Sequence, residues 1–116
     1  MRIEDIKTIV SEDGLPTTYY QWHEQGVPPL PYKVWYLPNS RNVAADNKVY
    51  KRRDVLVVEL YSEERDFDAE AAFEAVLDRY KIVWDKTCDY IDSEQMYQTT
   101  YEAELFVETE QLTQEE

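Results

Sequence analysis

Cysteine, glycine and long apolar runs are scarce in this 116-residue chain. Cys88 is the only cysteine, so it cannot form an internal disulfide, which favours a reducing compartment. Gly14 and Gly26 are the only glycines, which excludes a glycine-rich phosphate loop. No apolar run exceeds four residues and no basic-then-apolar leader is visible, so we expect neither a membrane span nor a secretory signal.

Residues that could carry chemistry are equally sparse. His23 is the only histidine, and it lies 65 residues from Cys88, with no Cys-x-x-Cys or His-Glu-x-x-His spacing. Carboxylates are so numerous that no pair stands out as an acid–base couple. The sequence therefore predicts no catalytic residue, no metal site and no cofactor, and we expect a protein that is not an enzyme.

Positive charge is also in deficit. Twelve Lys and Arg oppose 25 Asp and Glu, giving a net charge of −13. Residues 1–58 hold eight basic and seven acidic side chains, whereas residues 59–116 hold four and eighteen, a balance of −14. A protein that binds DNA directly needs basic side chains to displace phosphate counterions. We therefore expect this chain not to bind DNA directly. Three roles of the acidic half stay open: it keeps the protein soluble, it binds a basic partner, or it repels DNA.

The pattern of apolar residues predicts an α+β domain of order α-β-β-β-α-β-β, with a mostly antiparallel sheet of four to five strands and helices on one face. The predicted helices are 2–12 and 67–80, the second with Phe73 and Leu77 at its centre and Asp66 or Asp68 as its N-cap. The predicted strands are 17–22, 32–37, 49–61, 82–85 and 97–107, with a proline-rich connector at 26–31 and a polar loop at 39–48. We expect one domain over residues 1–107 and a disordered acidic tail over 108–116.

Several features indicate contacts between macromolecules. Ten Tyr and three Trp exceed what one small core absorbs, and subunit interfaces favour both residue types. A basic cluster at Lys51, Arg52 and Arg53 starts the third strand, where we expect it to project beyond the core. An acidic strand carries Glu102 and Glu104 on one face. Opposite charges at separate places predict head-to-tail contacts between copies, which close into a ring when the rotation permits. The predicted interface residues are Arg41, Asp46, Asn47, Tyr50, Lys51, Arg52 and Arg53.

Four segments resemble small neck and tail proteins of long-tailed phages and prophages: Tyr20–Tyr36, Ala45–Tyr50, Val55–Tyr61 with its Leu-Tyr-Ser ending, and Ile91–Gln98. Together the resemblance spans roughly residues 15–107, and it is to the tail terminator, or head–tail joining, class of siphophage proteins. It implies a ring, commonly a hexamer, that caps the tail tube, docks the head connector or head-closure protein, and lets DNA pass through its lumen. It also implies a location at the head–tail junction of the virion after assembly in the host cytoplasm, and Glu102 and Glu104 are candidate lumen residues.

Other functions stay open on the sequence. The chain could instead be a head-closure protein or another minor tail component. The alternative from a different class is an acidic inhibitor that mimics DNA and blocks a basic nucleic-acid enzyme. In it, the acidic side chains of residues 59–116, with their balance of −14, would take the place of the DNA phosphates. The basic cluster at Lys51, Arg52 and Arg53 counts mildly against a mimic.

Overall fold

The computed structural model describes residues 1–22 and 26–108, with only the backbone described at Val49 and Tyr50. Its elements in chain order are α1 (Ile3–Val10), β1 (Thr17–Tyr19), β2 (Tyr32–Tyr36), β3 (Val43–Ala45), β4 (Lys48–Lys51), β5 (Arg53–Ser62), α2 (Phe67–Arg79), β6 (Trp84–Ile91), a 3-10 turn (Asp92–Glu94) and β7 (Met96–Phe106). The predicted α+β class is confirmed.

The main sheet has five strands in the order β1-β2-β5-β7-β6. β1 runs parallel to β2, and every other neighbouring pair is antiparallel. The expected, mostly antiparallel sheet is therefore confirmed. β6 and β1 form its two edges, while β3 and β4 form a separate two-stranded sheet.

β5 lies at the centre of the main sheet, as its apolar residues on both faces predict. Leu56, Val58 and Leu60 point to the helices and are at most 2% exposed. Val55 and Val57 alternate with them, lie on the opposite face and are also buried. Both faces of β5 thus contribute buried surface.

α2 begins where the sequence predicts, because the Asp66 carboxylate accepts a hydrogen bond of 3.0 Å from the Ala69 amide. Phe73 and Leu77 are at most 1% exposed, as expected. The buried stripe nevertheless begins at Glu70, which is 1% exposed and was not predicted to face the core.

Both helices cover the same face of the sheet. Ile6, Ile9 and Val10 of α1 join the cluster that α2 forms with the sheet. The other fully enclosed members of this cluster are Trp35, Leu56, Val58, Leu60, Phe73, Val76, Leu77, Ile82, Tyr101, Ala103, Leu105 and Val107. We call the opposite side of the sheet the open face, because no helix covers it among the described residues.

The bounds of four predicted segments were wrong. The polar loop 39–48 contains β3 and the start of β4, and the strand 49–61 is two strands, one on each side of Arg52. The predicted strand 82–85 is instead Trp84–Ile91, because the whole of that length pairs with β7. β1 ends at Tyr19, since Tyr20 adopts a left-handed φ of 71° that no regular strand allows.

Near the C-terminus, the Glu108 amide donates to the Met1 carbonyl at 2.8 Å. The rest of the predicted acidic tail, residues 109–116, lies outside the described residues, as does His23. Neither helix in the described part of the chain is long and apolar enough to cross a bilayer.

Candidate assembly surfaces

A protruding β-hairpin is the first candidate surface. β3 and β4 are joined by Asp46 and Asn47, whose φ values of 54° and 63° give the two-residue turn that matches strand twist. Asp and Asn tolerate this left-handed backbone better than bulkier residues do. In this hairpin, Val43 is half-buried and every other described side chain is exposed.

The base of the hairpin is fixed to the sheet. The Arg41 amide donates to the Arg53 carbonyl at 2.7 Å, and the Val55 amide donates to the Asn39 carbonyl at 3.0 Å. The Asn42 side-chain oxygen accepts from the Arg53 amide at 3.1 Å. The hairpin therefore leaves the domain from a well-anchored base.

Most of the predicted basic cluster is engaged within the chain. Arg41 donates to Glu104 at 2.9 Å, and Arg53 lies 3.3 Å from the same carboxylate. Arg52 donates to Asp54 at 2.9 Å. The predicted projection of the whole cluster is therefore wrong, because Arg52 and Arg53 are held against the sheet by carboxylates.

The lysines of the hairpin differ from its arginines. Lys51 is exposed and its ammonium lies 4.5 Å from the centre of the Phe106 ring. Lys48 is exposed beside the turn. Among the described residues, neither lysine has a carboxylate within salt-bridge distance. Tyr50 lies in β4, and its side chain is outside the described residues.

The second candidate surface is acidic and lies on the open face of β6 and β7. Glu102 and Glu104 are exposed there, as the alternation predicts. Asp85 stands directly opposite Glu102 in the strand register, and Asp89 follows on the same face. Asp85, Asp89 and Glu102, which we call the acidic strand face, have no cation partner among the described residues.

Aromatic rings occupy the other half of the open face. Tyr20 lies 5.6 Å from Tyr36, and Tyr32 lies 5.4 Å from Tyr61, as measured between ring centres. The hydroxyls of Tyr36 and Tyr61 each donate to the Glu59 carboxylate at 2.6 Å. Burial and this carboxylate raise the pKa of Tyr36 to about 12 and that of Tyr61 further, so both remain donors at neutral pH.

A buried polar network under α2 was not predicted. The Glu70 carboxylate accepts from Arg65 at 2.7 Å and from Lys86 at 3.0 Å, and Thr99 lies beside it. Burial alone would raise the pKa of Glu70, but the hydrogen bonds from Arg65 and Lys86 outweigh burial and lower it. Every charge here is paired, so the network has the properties of a structural contact. The sequence signal that could have predicted the burial of Glu70 was its position three residues before Phe73.

A second buried ion pair joins Lys33 of β2 to Asp13, which follows α1. Lys33 is fully buried, and its ammonium also lies 4.3 Å from the centre of the Phe73 ring. Burial lowers the pKa of Lys33, although Asp13 opposes that change. This pair anchors the turn after α1 to the sheet.

Within residues 1–22 and 26–108, no group of three His, Cys, Asp or Glu side chains is arranged to hold a metal ion. Cys88 is half-buried and accepts a hydrogen bond from the Thr99 hydroxyl at 3.4 Å. Compared with protein-family models and with curated proteins, the chain matches none.

Proposed function

We propose that this chain is a structural subunit of the phage head–tail junction, of the tail terminator type. In this proposal it assembles into a ring, commonly a hexamer, that caps the tail tube and receives the head connector or head-closure protein. It acts in the virion after assembly in the host cytoplasm. It performs no catalysis.

The exposed hairpin is the observation that supports this proposal best. Residues 41–54 carry five basic and two acidic side chains, a balance of +3 in a chain of −13. A two-stranded hairpin is only marginally stable by itself in water. A hairpin with an anchored base and an exposed body is therefore suited to docking on another protein surface.

The acidic remainder of the chain suits contact with passing DNA. With the hairpin region at +3, the other residues total −16, which disfavours phosphate binding. The lumen roles of Glu102 and Glu104 remain predictions. Glu104 is already neutralised by Arg41 and Arg53, whereas Glu102 has no cation partner among the described residues.

Deletion of the coding sequence from its phage or prophage tests the proposal directly. If the chain caps the tail tube, electron microscopy should show tubes of abnormal length that are not joined to heads. Tails of normal length beside heads that have lost DNA would instead indicate a head-closure protein. Complete, infectious particles would contradict both assignments.

Hairpin variants test which surface assembles. Lys48→Glu/Lys51→Glu should leave the fold intact, because neither lysine pairs with a carboxylate, but should reduce complementation of the deletion. Lys7→Glu/Lys81→Glu makes the same change in net charge at exposed sites outside the hairpin and should complement normally. Equal complementation by both variants would exclude the hairpin as the assembly surface.

The arrangement of carboxylates favours the DNA-mimic alternative less than it favours the proposed ring subunit. Glu70, Glu74, Glu59 and Glu104 are all engaged by side chains of their own chain. Asp85, Asp89 and Glu102 do form a free acidic group on the open face, which keeps the alternative testable. A mimic would remain a monomer or dimer in light scattering and would bind a basic nuclease in a salt-sensitive manner.

A further inference from the structure

The acidic strand face contains an unfavourable juxtaposition. Asp85 and Glu102 are directly opposite each other on neighbouring antiparallel strands, and both are exposed on the open face. Like charges in this register destabilise a sheet. Because no cation of the described residues lies within salt-bridge distance of either carboxylate, the folded chain leaves their repulsion uncompensated.

The neighbouring carboxylate shows how the same face can be neutralised. Glu104 lies two residues after Glu102, on the same side of β7, and it binds Arg41 and Arg53 from the base of the hairpin. This strand face therefore already accepts basic side chains from the hairpin region. The chain neutralises Glu104 in this way and leaves Glu102 free.

The hairpin has the complementary surplus. Lys48 and Lys51 are exposed and lack carboxylate partners among the described residues. The hairpin leaves the sheet at the start of β5, whereas β6 is the edge strand, with β7 lying between them. Within one chain the lysines do not contact Asp85 or Glu102, so the two charged surfaces remain available to another molecule.

We propose that the acidic strand face of one copy receives the hairpin of a second copy, with Lys48 and Lys51 against Asp85 and Glu102. This inference rests on the proposed ring, and it specifies the two surfaces that meet. The contact joins different surfaces of identical subunits, so it repeats from copy to copy and closes a ring if the rotation permits. It places Glu102 in a subunit contact instead of the lumen.

A charge exchange between the two surfaces tests this contact. The hairpin variant is Lys48→Glu/Lys51→Glu, and the face variant is Asp85→Lys/Glu102→Lys. Sedimentation of the purified wild type over a range of concentrations at low salt should show reversible self-association. Each variant alone should lower the association constant at least ten-fold, because attractive pairs become repulsive.

The decisive sample is an equimolar mixture of the two variants, in which each mutated surface meets an oppositely charged one. The mixture should recover an association constant within about three-fold of the wild type, since opposite charges again face each other. Glu63→Lys/Glu64→Lys, at exposed carboxylates before α2, matches the charge change of the face variant and should associate normally. Failure of the mixture to associate would overturn the pairing of these two surfaces, as would a wild type that stays monomeric at every concentration.

A neutral variant gives a readout that does not depend on adding charge. Asp85→Asn/Glu102→Gln should raise the urea midpoint of the isolated subunit by removing the like-charge pair, while it weakens self-association. A variant that becomes more stable and associates as well as the wild type would refute the inference. The proposed function fails separately, through deletion particles that are complete and infectious.

Discussion

The ion pair between Lys33 and Asp13 yields a prediction whose size follows from its burial. Lys33 is fully buried and the Asp13 side chain is 2% exposed. After Lys33→Met, the Asp13 carboxylate keeps only the Leu15 amide, at 3.3 Å, as a donor among the described residues. Stranding one member of a buried pair costs about 3 to 5 kcal/mol, so we expect a loss of that size in the free energy of unfolding.

When the other partner, Asp13, is removed, the largest loss of stability can be calculated. After Asp13→Leu, the Lys33 ammonium can lose its proton instead of staying charged in the core. Each pKa unit between pH 7 and the ordinary value of 10.5 costs about 1.4 kcal/mol, so the penalty for neutral Lys33 is at most about 5 kcal/mol. In the double variant Lys33→Met/Asp13→Leu, both charges disappear together. We expect its stability to lie within about 1 kcal/mol of the wild type.

Urea unfolding followed by tryptophan fluorescence measures these values, with an unchanged denaturant slope as the check on two-state behaviour. Lys7→Met, at an exposed site on α1, should change stability by less than about 0.5 kcal/mol. The coupling between the two single variants should be at least about 3 kcal/mol. Single losses below about 1 kcal/mol, or losses that add in the double variant, would refute the account of a buried, mutually dependent pair.

The same pair has a pH signature. Because burial lowers the pKa of Lys33, the unfolded chain binds more protons than the folded chain between the folded value and 10.5. The contribution of Lys33 to stability therefore rises with pH across that window. The stability difference between wild type and Lys33→Met should grow on the alkaline side, and a difference that is constant with pH would show that Lys33 is not desolvated.

Three further predictions concern the helix, its buried carboxylate and the open face. Leu77→Ala should cost about 2 to 4 kcal/mol in urea melts because Leu77 is 1% exposed, and a loss below about 1 kcal/mol would show that α2 is not a core element. Glu70→Gln should cost about 1 to 3 kcal/mol at pH 7 by weakening its bonds to Arg65 and Lys86. Since the folded pKa of Glu70 is lowered, its contribution is present above the unfolded pKa and lost as pH falls through the folded pKa; the stability difference between wild type and Glu70→Gln should therefore shrink in acid, and a difference that stays constant down to low pH would contradict this. In ultraviolet titration, Tyr36→Phe should remove one phenol that ionises near pH 12, and loss of an ordinary tyrosine transition near pH 10 would argue against its bond to Glu59.

The regular elements could be predicted because their signals are local. The stripe containing Phe73 and Leu77 defines α2, and an Asp66 side chain can cap a helix wherever that helix packs. Apolar residues on both faces are typical of a strand with neighbours on both sides, and β5 lies at the centre of the main sheet. The hairpin had a local signal too, in Asp46 and Asn47, but the polar composition around it favoured a loop.

The charged contacts depended on the tertiary structure, because they join residues far apart in sequence. Glu104 lies 63 residues from Arg41, so sequence alone left both as free charges when in fact they neutralise each other. Lys and Glu are residue types that usually lie at the surface. Lys33 and Glu70 are buried here only because the fold brings Asp13 to Lys33, and Arg65 and Lys86 to Glu70. Sequence periodicity determined which face of each element is apolar, whereas the strand order determined which charges have no ion-pair partner among the described residues: Lys48 on the hairpin, and Asp85 opposite Glu102 on the outer two strands.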